Sequence, residues 1–292
     1  MSNSLKIGIV SGLIVGFIAG AISAIVTTGA FIVAGIIKLP WGAANLPGVL
    51  TINFLTTHVF FEIMLNGSFG AIFGVIYSKL YDSLPGEGIS KGFVYGLILF
   101  LASNFYAGVL YLERYGYIVI DLVIGTWWMG FFCLVSYGIV LGALYKRPTR
   151  TIGKYDLKQG ISYGAVAGLI GGIAAIIAII IGVNLGLWMP VPGILSATFL
   201  TTHHIFEVTI VILFGALFGV IYSRCYDSIP GKSIIKGLVY SMIIYLASSI
   251  RIGVLLESYE YANKAIVVLW LGFFTWIIYG LVLGYLYRKP LK

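Results

Sequence analysis

The stretch Phe54-Leu55-Thr56-Thr57-His58, followed four residues later by Glu62, recurs as Phe199-Leu200-Thr201-Thr202-His203, followed by Glu207. Each residue of the second copy lies 145 positions after its counterpart. This single ungapped shift gives identical residues at 33 of the 61 positions from Gly48 to Gly108. Shared apolar composition does not produce such agreement, so the sequence contains an internal duplication. Each copy also places a histidine and a carboxylate in a segment otherwise suited to lipid, where ionisable groups are costly.

The composition is that of an integral membrane protein. Hydrophobic residues make up 60% and charged residues 10% of the 292 residues, and the mean hydropathy is +1.04. Soluble domains carry about 25% charged residues. The apolar stretch from Ile7 to Ile37 is too long for the core of a signal peptide, and no small-residue cleavage site ends it. We interpret it as the first spanning helix and expect a multi-pass protein of the cell membrane, in contact with the lipid bilayer.

Eight apolar runs are long enough to cross a bilayer, for which about 20 residues suffice. They lie at residues 7–37, 49–80, 89–112, 117–145, 159–185, 193–225, 234–257 and 263–287. The sequence therefore predicts an all-α membrane fold with one four-helix repeat in residues 1–146 and another in residues 159–292, joined by a basic cytoplasmic linker at 147–158. Because four is even, both repeats start on the same side. They are predicted to be parallel, related by a pseudo-twofold axis along the membrane normal.

The positive charge predicts that both termini are cytoplasmic. With this orientation the cytoplasmic segments hold 14 of the 18 lysines and arginines, Lys91 among them, in agreement with the positive-inside rule. The exceptions are Lys38, Arg114, Arg251 and Lys264. The net charge of +8 is thus a topology signal, and nucleic acid is not an expected partner.

Glycine recurs at every fourth position in two of the predicted helices. The positions are Gly8, Gly12, Gly16 and Gly20 in the first helix, and Gly160, Gly164, Gly168 and Gly172 in the fifth. In lipid, small residues let helix backbones approach closely and gain packing contact. We expect these stripes to pack helices within the chain; a homo-oligomer interface or a pore lining is the alternative.

The second predicted helix carries a polar face. His58, Glu62 and Asn66 are spaced four residues apart, so they share one side of a helix. Counting from the cytoplasmic end at about 1.5 Å per residue places Glu62 somewhat outside the bilayer centre and His58 near the outer hydrocarbon boundary.

The second copy keeps His203 and Glu207, adds His204, and has Val211 in place of the asparagine. Arg251 falls at about the depth of Glu207, which predicts an ion pair.

The counterpart of Arg251 in the first copy is Tyr106, so Glu62 has no matching cation. A carboxylate without a charge partner in a low dielectric tends to hold its proton, which makes Glu62 the better candidate for proton exchange or cation binding.

Three hypotheses account for these groups. In the first, the histidines, glutamates and Arg251 satisfy one another and only fix helix packing. In the second, the polar faces line a path between the repeats for a cation, proton or small polar solute. In the third, His58 and His203 with Glu62, Glu207 or both bind a divalent metal, or the two histidines bind a haem.

No Walker, Rossmann, HExxH or haem-attachment motif is present, and the two cysteines, Cys133 and Cys225, offer neither a disulfide framework nor a metal-binding pair. A metal held by His58, His203 and Glu62 would supply an activated water for a membrane enzyme, the third hypothesis, but nothing else in the sequence supports catalysis. The leading functional hypothesis is a transporter or channel. The alternative is a non-transporting subunit of a membrane complex that binds its partner through the glycine stripes or the two cytoplasmic Tyr-Asp-Ser-x-Pro-Gly turns.

Overall fold

The computed structural model describes residues 3–37, 52–106, 109, 120–145, 157–184, 197–250 and 262–287. Every regular element in these ranges is helical. The main helices are α1 (Asn3–Ile36), α2 (Ile52–Leu80), α3 (Ile89–Phe100), α4 (Ile120–Leu144), α5 (Leu157–Asn184), α6 (Ala197–Cys225), α7 (Ser233–Tyr245) and α8 (Ala262–Leu286). The chain divides into two compact units, Met1–Thr151 and Ile152–Lys292.

Among the residues described, three helical stretches are long and apolar enough to cross a membrane. These stretches are Ile63–Ser83, Val123–Leu144 and Ser233–Ile250. Shorter apolar stretches occur in the other five main helices. The fold is therefore all-helical with membrane-spanning candidates, while the finer statement of eight spans in two parallel repeats stays a prediction.

Backbone contact between glycines joins α1 to α2. A Cβ atom added at Gly12 would lie 2.5 Å from the carbonyl oxygen of Gly74, and one added at Gly16 would lie 2.8 Å from the Gly74 Cα and overlap the Gly70 carbonyl. Gly20 makes the same close approach to the backbone of Asn66. No side chain fits between the two helices at these positions, so glycine sets their separation.

The helices of each unit follow the same order of contacts. In the first unit α1 packs on both α2 and α4, and α3 packs on α4. In the second unit α5 packs on both α6 and α8, and α7 packs on α8. Glycines also mediate the α3–α4 contact, where a Cβ atom at Gly92 would lie 2.7 Å from the Cα of Gly142.

Buried tyrosines connect helices that are not joined by close glycine contacts. The Tyr95 hydroxyl on α3 donates to the Phe73 carbonyl on α2 at 2.8 Å, and the Tyr137 hydroxyl on α4 donates to the Gly70 carbonyl at 2.8 Å. The second unit has the matching bonds from Tyr240 to Phe218, at 2.7 Å, and from Tyr279 to Gly215, at 2.9 Å. Each hydroxyl is thereby satisfied in an apolar interior, as buried polar groups require.

A π-helical segment continues α3, and another continues α7. The segments are Leu101–Phe105 and Leu246–Ile250, and they lie 145 residues apart. In the first, the Ser103 hydroxyl donates to the Leu99 carbonyl at 2.8 Å and lies 3.0 Å from the Asn104 Oδ1. The Asn104 side chain in turn packs directly on Gly130 of α4. Hydropathy predicted a single helix over 89–112 and gave no sign of this change in winding.

Candidate functional site

The polar residues singled out from the sequence lie mainly near the N-terminal ends of α2 and α6. His58 and Glu62 belong to α2, and His203, His204 and Glu207 belong to α6. The side chains of these five residues lie outside the described part of the structure, as does Arg251 altogether. The histidine–glutamate pairs and the Glu207–Arg251 ion pair therefore stay predictions. Asn66 is the member of the set whose surroundings the structure gives.

Asn66 is buried at the junction of three helices. Its side chain is 8% exposed, and its Oδ1 accepts a hydrogen bond from the Cys133 thiol of α4 at 3.5 Å. The Cys133 sulfur lies 3.9 Å from the Ser23 hydroxyl of α1, which also donates to the Gly20 carbonyl at 2.7 Å. Ser23, Asn66 and Cys133 form what we call the Asn66 cluster. It places amide, thiol and hydroxyl groups together inside the first unit.

The glycine contact between α1 and α2 brings this cluster together. The Gly20 backbone lies directly against the Asn66 backbone, and Ser23 follows Gly20 by about one helical turn. The sequence analysis assigned Asn66 to a polar face but gave no role to Ser23 or Cys133. A single serine or cysteine in an apolar run carries no signal for its partners, because those partners lie on other helices.

The second unit does not repeat the residues of the Asn66 cluster at the positions that match Asn66 and Cys133. Val211 stands 145 residues after Asn66, and Thr275 stands 142 residues after Cys133, the shift that also relates Tyr137 to Tyr279. Next to Thr275, the Trp276 side chain is 1% exposed and its ring lies 5.6 Å from the Phe218 ring, centroid to centroid. The position matching Trp276 in the first unit is Leu134. Trp276 thus fills the interior beside Phe218, the counterpart of Phe73, and the second unit has Thr275 and Val211 where the first has Cys133 and Asn66.

A second cluster lies where α2 turns into α3. Lys91 is 0% exposed, donates to the Tyr81 carbonyl at 2.7 Å and holds its ammonium 4.0 Å from the centre of the Tyr81 ring. The Tyr77 ring packs within 5.5 Å of the rings of its neighbours. We call Lys91 and its four tyrosines, Tyr77, Tyr81, Tyr95 and Tyr145, the Lys91 cluster. Lys91 is counted above among the basic residues of the cytoplasmic segments, and the structure adds that its side chain is fully buried.

Lys91 is explained by the helix end that it meets. The last carbonyls of α2 have no partner within the helix, and a cation there also offsets the negative end of the helix dipole. In the second unit Lys236 donates to the Tyr226 carbonyl and lies 4.1 Å from that ring. Both lysines therefore act as caps within their units, and the structure gives them no need of a ligand.

Among the residues that the structure describes, the hydroxyls of Tyr77 and Tyr222 are buried without a hydrogen-bond partner. Because an unpaired buried hydroxyl costs about 1 to 3 kcal/mol, we expect Tyr77→Phe to leave the protein as stable or raise its free energy of unfolding by about 1 kcal/mol. Tyr137→Phe is the matched control, since its hydroxyl is bonded to the Gly70 carbonyl, and it should lose about 1 kcal/mol. Unfolding of the purified protein in mixed detergent micelles measures both. A larger loss for Tyr77→Phe than for Tyr137→Phe would contradict this account.

The predicted metal ligands are side chains that the structure does not describe. Among the described residues, no three histidine, cysteine or acidic side chains lie close enough together to hold a metal ion. The predicted ligands His58, His203, Glu62 and Glu207 are not among those side chains, so a divalent metal or haem stays a prediction.

No protein-family model matches the chain, and comparison with curated proteins and with solved structures gave no match.

Proposed function

We propose that the chain is a multi-pass protein of the cell membrane with eight spanning helices and cytoplasmic termini. Three described helices are long and apolar enough to cross a bilayer, and the other five main helices also contain apolar stretches. Side chains such as Leu13, Ile14 and Phe17 on α1 are large, apolar and exposed, which suits contact with lipid. The distribution of lysine and arginine supports the orientation.

We propose further that the first unit carries a path for a proton, a cation or a small polar solute. The observation that carries this proposal is the burial of Asn66 against α1 and α4. Positions 58 and 62 lie on the same face of α2 as position 66, because residues four apart share a helix face. The face of α2 with His58 and Glu62 therefore runs into the interior of its own unit at Asn66, where Cys133 and Ser23 add further polar groups.

The two units are proposed to differ in this role. In the first, the matching position for Arg251 is Tyr106, so Glu62 is the better candidate for exchanging a proton or binding a cation. In the second, Trp276 fills the interior and Val211 replaces the asparagine. We propose that the second unit does not carry the path itself.

Glu62→Gln tests this function. The full chain is placed in liposomes that contain a pH-sensitive or a Na⁺- or K⁺-sensitive dye, and a diffusion potential drives entry. We expect flux with the wild-type chain and a loss of at least about tenfold with Glu62→Gln, because the variant cannot ionise at the proposed site. Glu207→Gln is the matched control from the second unit and should keep most of the flux. Unchanged flux in Glu62→Gln would count against the proposal.

A non-transporting subunit of a membrane complex is the second candidate. It is favoured by the Asn66 cluster, in which the Cys133 thiol donates to Asn66 and the Ser23 hydroxyl donates to the Gly20 carbonyl, since polar groups satisfied within the chain also hold helices together without any substrate. In that case no flux is found, and a partner protein should co-purify and be lost on changing the turns around Pro85 and Pro230 but not in Glu62→Gln.

A further inference from the structure

Two phenylalanines divide the polar groups along α2. Asn66 lies on one side of them, and Tyr77 with the rest of the Lys91 cluster lies on the other. Phe73 is 2% exposed and Phe69 is 9% exposed, and their rings stack with centroids 6.2 Å apart. Asn66 precedes Tyr77 by eleven residues, so about 16 Å of helix separates the two polar groups, and the phenylalanines lie between them.

The backbone at this level is already engaged by the neighbouring helices. Tyr95 of α3 bonds to the Phe73 carbonyl, and Tyr137 of α4 bonds to the Gly70 carbonyl. These bonds hold α2 at fixed distances from α3 and α4, with the phenylalanine rings buried in the same interior. The hydroxyls of Tyr95 and Tyr137 are thus already bonded to backbone carbonyls. The interior between these helices is therefore lined at this depth by the apolar rings of the two phenylalanines.

We propose that Phe69 and Phe73 form the constriction of the path in the first unit, between an outer section lined by the Asn66 cluster and an inner section that ends at the Lys91 cluster. This inference rests on the function proposed above. Narrow apolar constrictions stop ions and polar solutes by excluding water, so they regulate passage without binding anything. The pair thereby limits flux to the moments at which the rings separate.

The second unit contains the matching pair in a different setting. Phe214 and Phe218 have ring centroids 5.9 Å apart, but the indole of Trp276 packs against Phe218 from α8. Phe218→Ala removes a phenylalanine ring from the interior of the second unit, which has no counterpart of the Asn66 cluster. Phe218→Ala is therefore the matched control for Phe73→Ala.

Cys133 provides a direct probe of the constriction, because it lies beside Asn66 on the outer side of the two rings. In a Cys225→Ser background it is the only thiol of the chain. Right-side-out and inverted membrane vesicles, with orientation reported by a C-terminal tag, are treated with a cationic, membrane-impermeant methanethiosulfonate. Labelling is measured by intact mass, and the value in denaturant defines complete reaction.

We expect Cys133 to react from the outer side, and at least about tenfold more slowly from the cytoplasmic side, because the constriction excludes water. Phe73→Ala should raise the cytoplasmic-side rate by about tenfold or more, whereas Phe218→Ala should leave it unchanged. Gel filtration checks folding. Should Phe73→Ala fail to fold, Phe73→Leu keeps most of the volume and should give a rise of about threefold.

Two different failures are distinguishable. If Cys133 is labelled from the outer side but its labelling rate from the cytoplasmic side is the same in the folded Phe73 variant as in the wild type, the constriction is overturned. The path would still stand in that case. Absence of labelling from both sides in every folded variant would overturn the path itself, and the constriction with it.

Discussion

Gly16→Ala is expected to destabilise the first unit by roughly 3 kcal/mol, a large part of the stability of a typical domain. The added methyl group would overlap the Gly70 carbonyl oxygen and lie 2.8 Å from the Gly74 Cα. Both obstacles are backbone, so neither can rotate away, and α1 and α2 must separate. That separation also pulls Gly20 and Ser23 away from Asn66, so the polar cluster loses its geometry together with the helix contact.

Gly29→Ala in the same helix is the control, because a Cβ atom at Gly29 would meet nothing within 4 Å. It should be neutral or slightly stabilising, since alanine favours a helix over glycine by about 1 kcal/mol. Detergent-titrated unfolding followed by circular dichroism gives both free energies. Equal effects at Gly16 and Gly29 would show that helix propensity, and not the close contact with α2, decides the outcome.

Lys91→Ala is expected to cost about 4 kcal/mol. The substitution removes a fully buried side chain, for which the loss of packing alone costs about 2 to 5 kcal/mol in apolar cores. It also leaves the Tyr81 carbonyl without its donor and the Tyr81 ring without its cation. Removal of the charge spares a desolvation cost, which offsets part of this loss but not the cavity.

Lys91→Met separates these contributions, because methionine keeps much of the apolar stem and lacks the ammonium. We expect it to recover about half of the loss seen with alanine. Lys236→Ala should cost less than Lys91→Ala, since Lys236 is only partly buried, and Lys79→Ala should stay within about 0.5 kcal/mol. Free energies of unfolding from the same titration decide the order. A Met variant as unstable as the Ala variant would assign the whole effect to the ammonium.

The helical class and the approximate helix bounds follow from hydropathy, which is a local property. The predicted run at 49–80 corresponds to α2 at Ile52–Leu80, and the run at 263–287 corresponds to α8 at Ala262–Leu286. Hydropathy does not predict the π-helical segments after α3 and α7. Apolar residues occur on every side of a spanning helix, so the sequence shows no helical periodicity from which a change in winding could be recognised. The hydrogen-bond partners of Ser23 and Cys133 could not be predicted from the sequence either, because contacts between helices depend on how each helix is rotated about its axis.

The burial of Lys91 could not be predicted from charge counting for a related reason. Lysine near a helix end in an apolar chain normally marks the water boundary, and the positive-inside rule treats all such residues alike. Only the side chain's contacts show that this ammonium is turned inward onto a carbonyl and a ring. The assignment of Asn66 to a polar face of α2 stays a prediction, and the structure adds that the Asn66 side chain is buried.

The Lys91 cap has a consequence for how such a chain is made. A cation that enters lipid alone is costly, but both groups that shield this one, the carbonyl and the ring of Tyr81, lie only ten residues earlier in the sequence. These two contacts need only α2 and the turn into α3, so they can form before any residue of α4 has been synthesised. Biogenesis of the first unit can therefore bury its charge step by step as the ribosome delivers it.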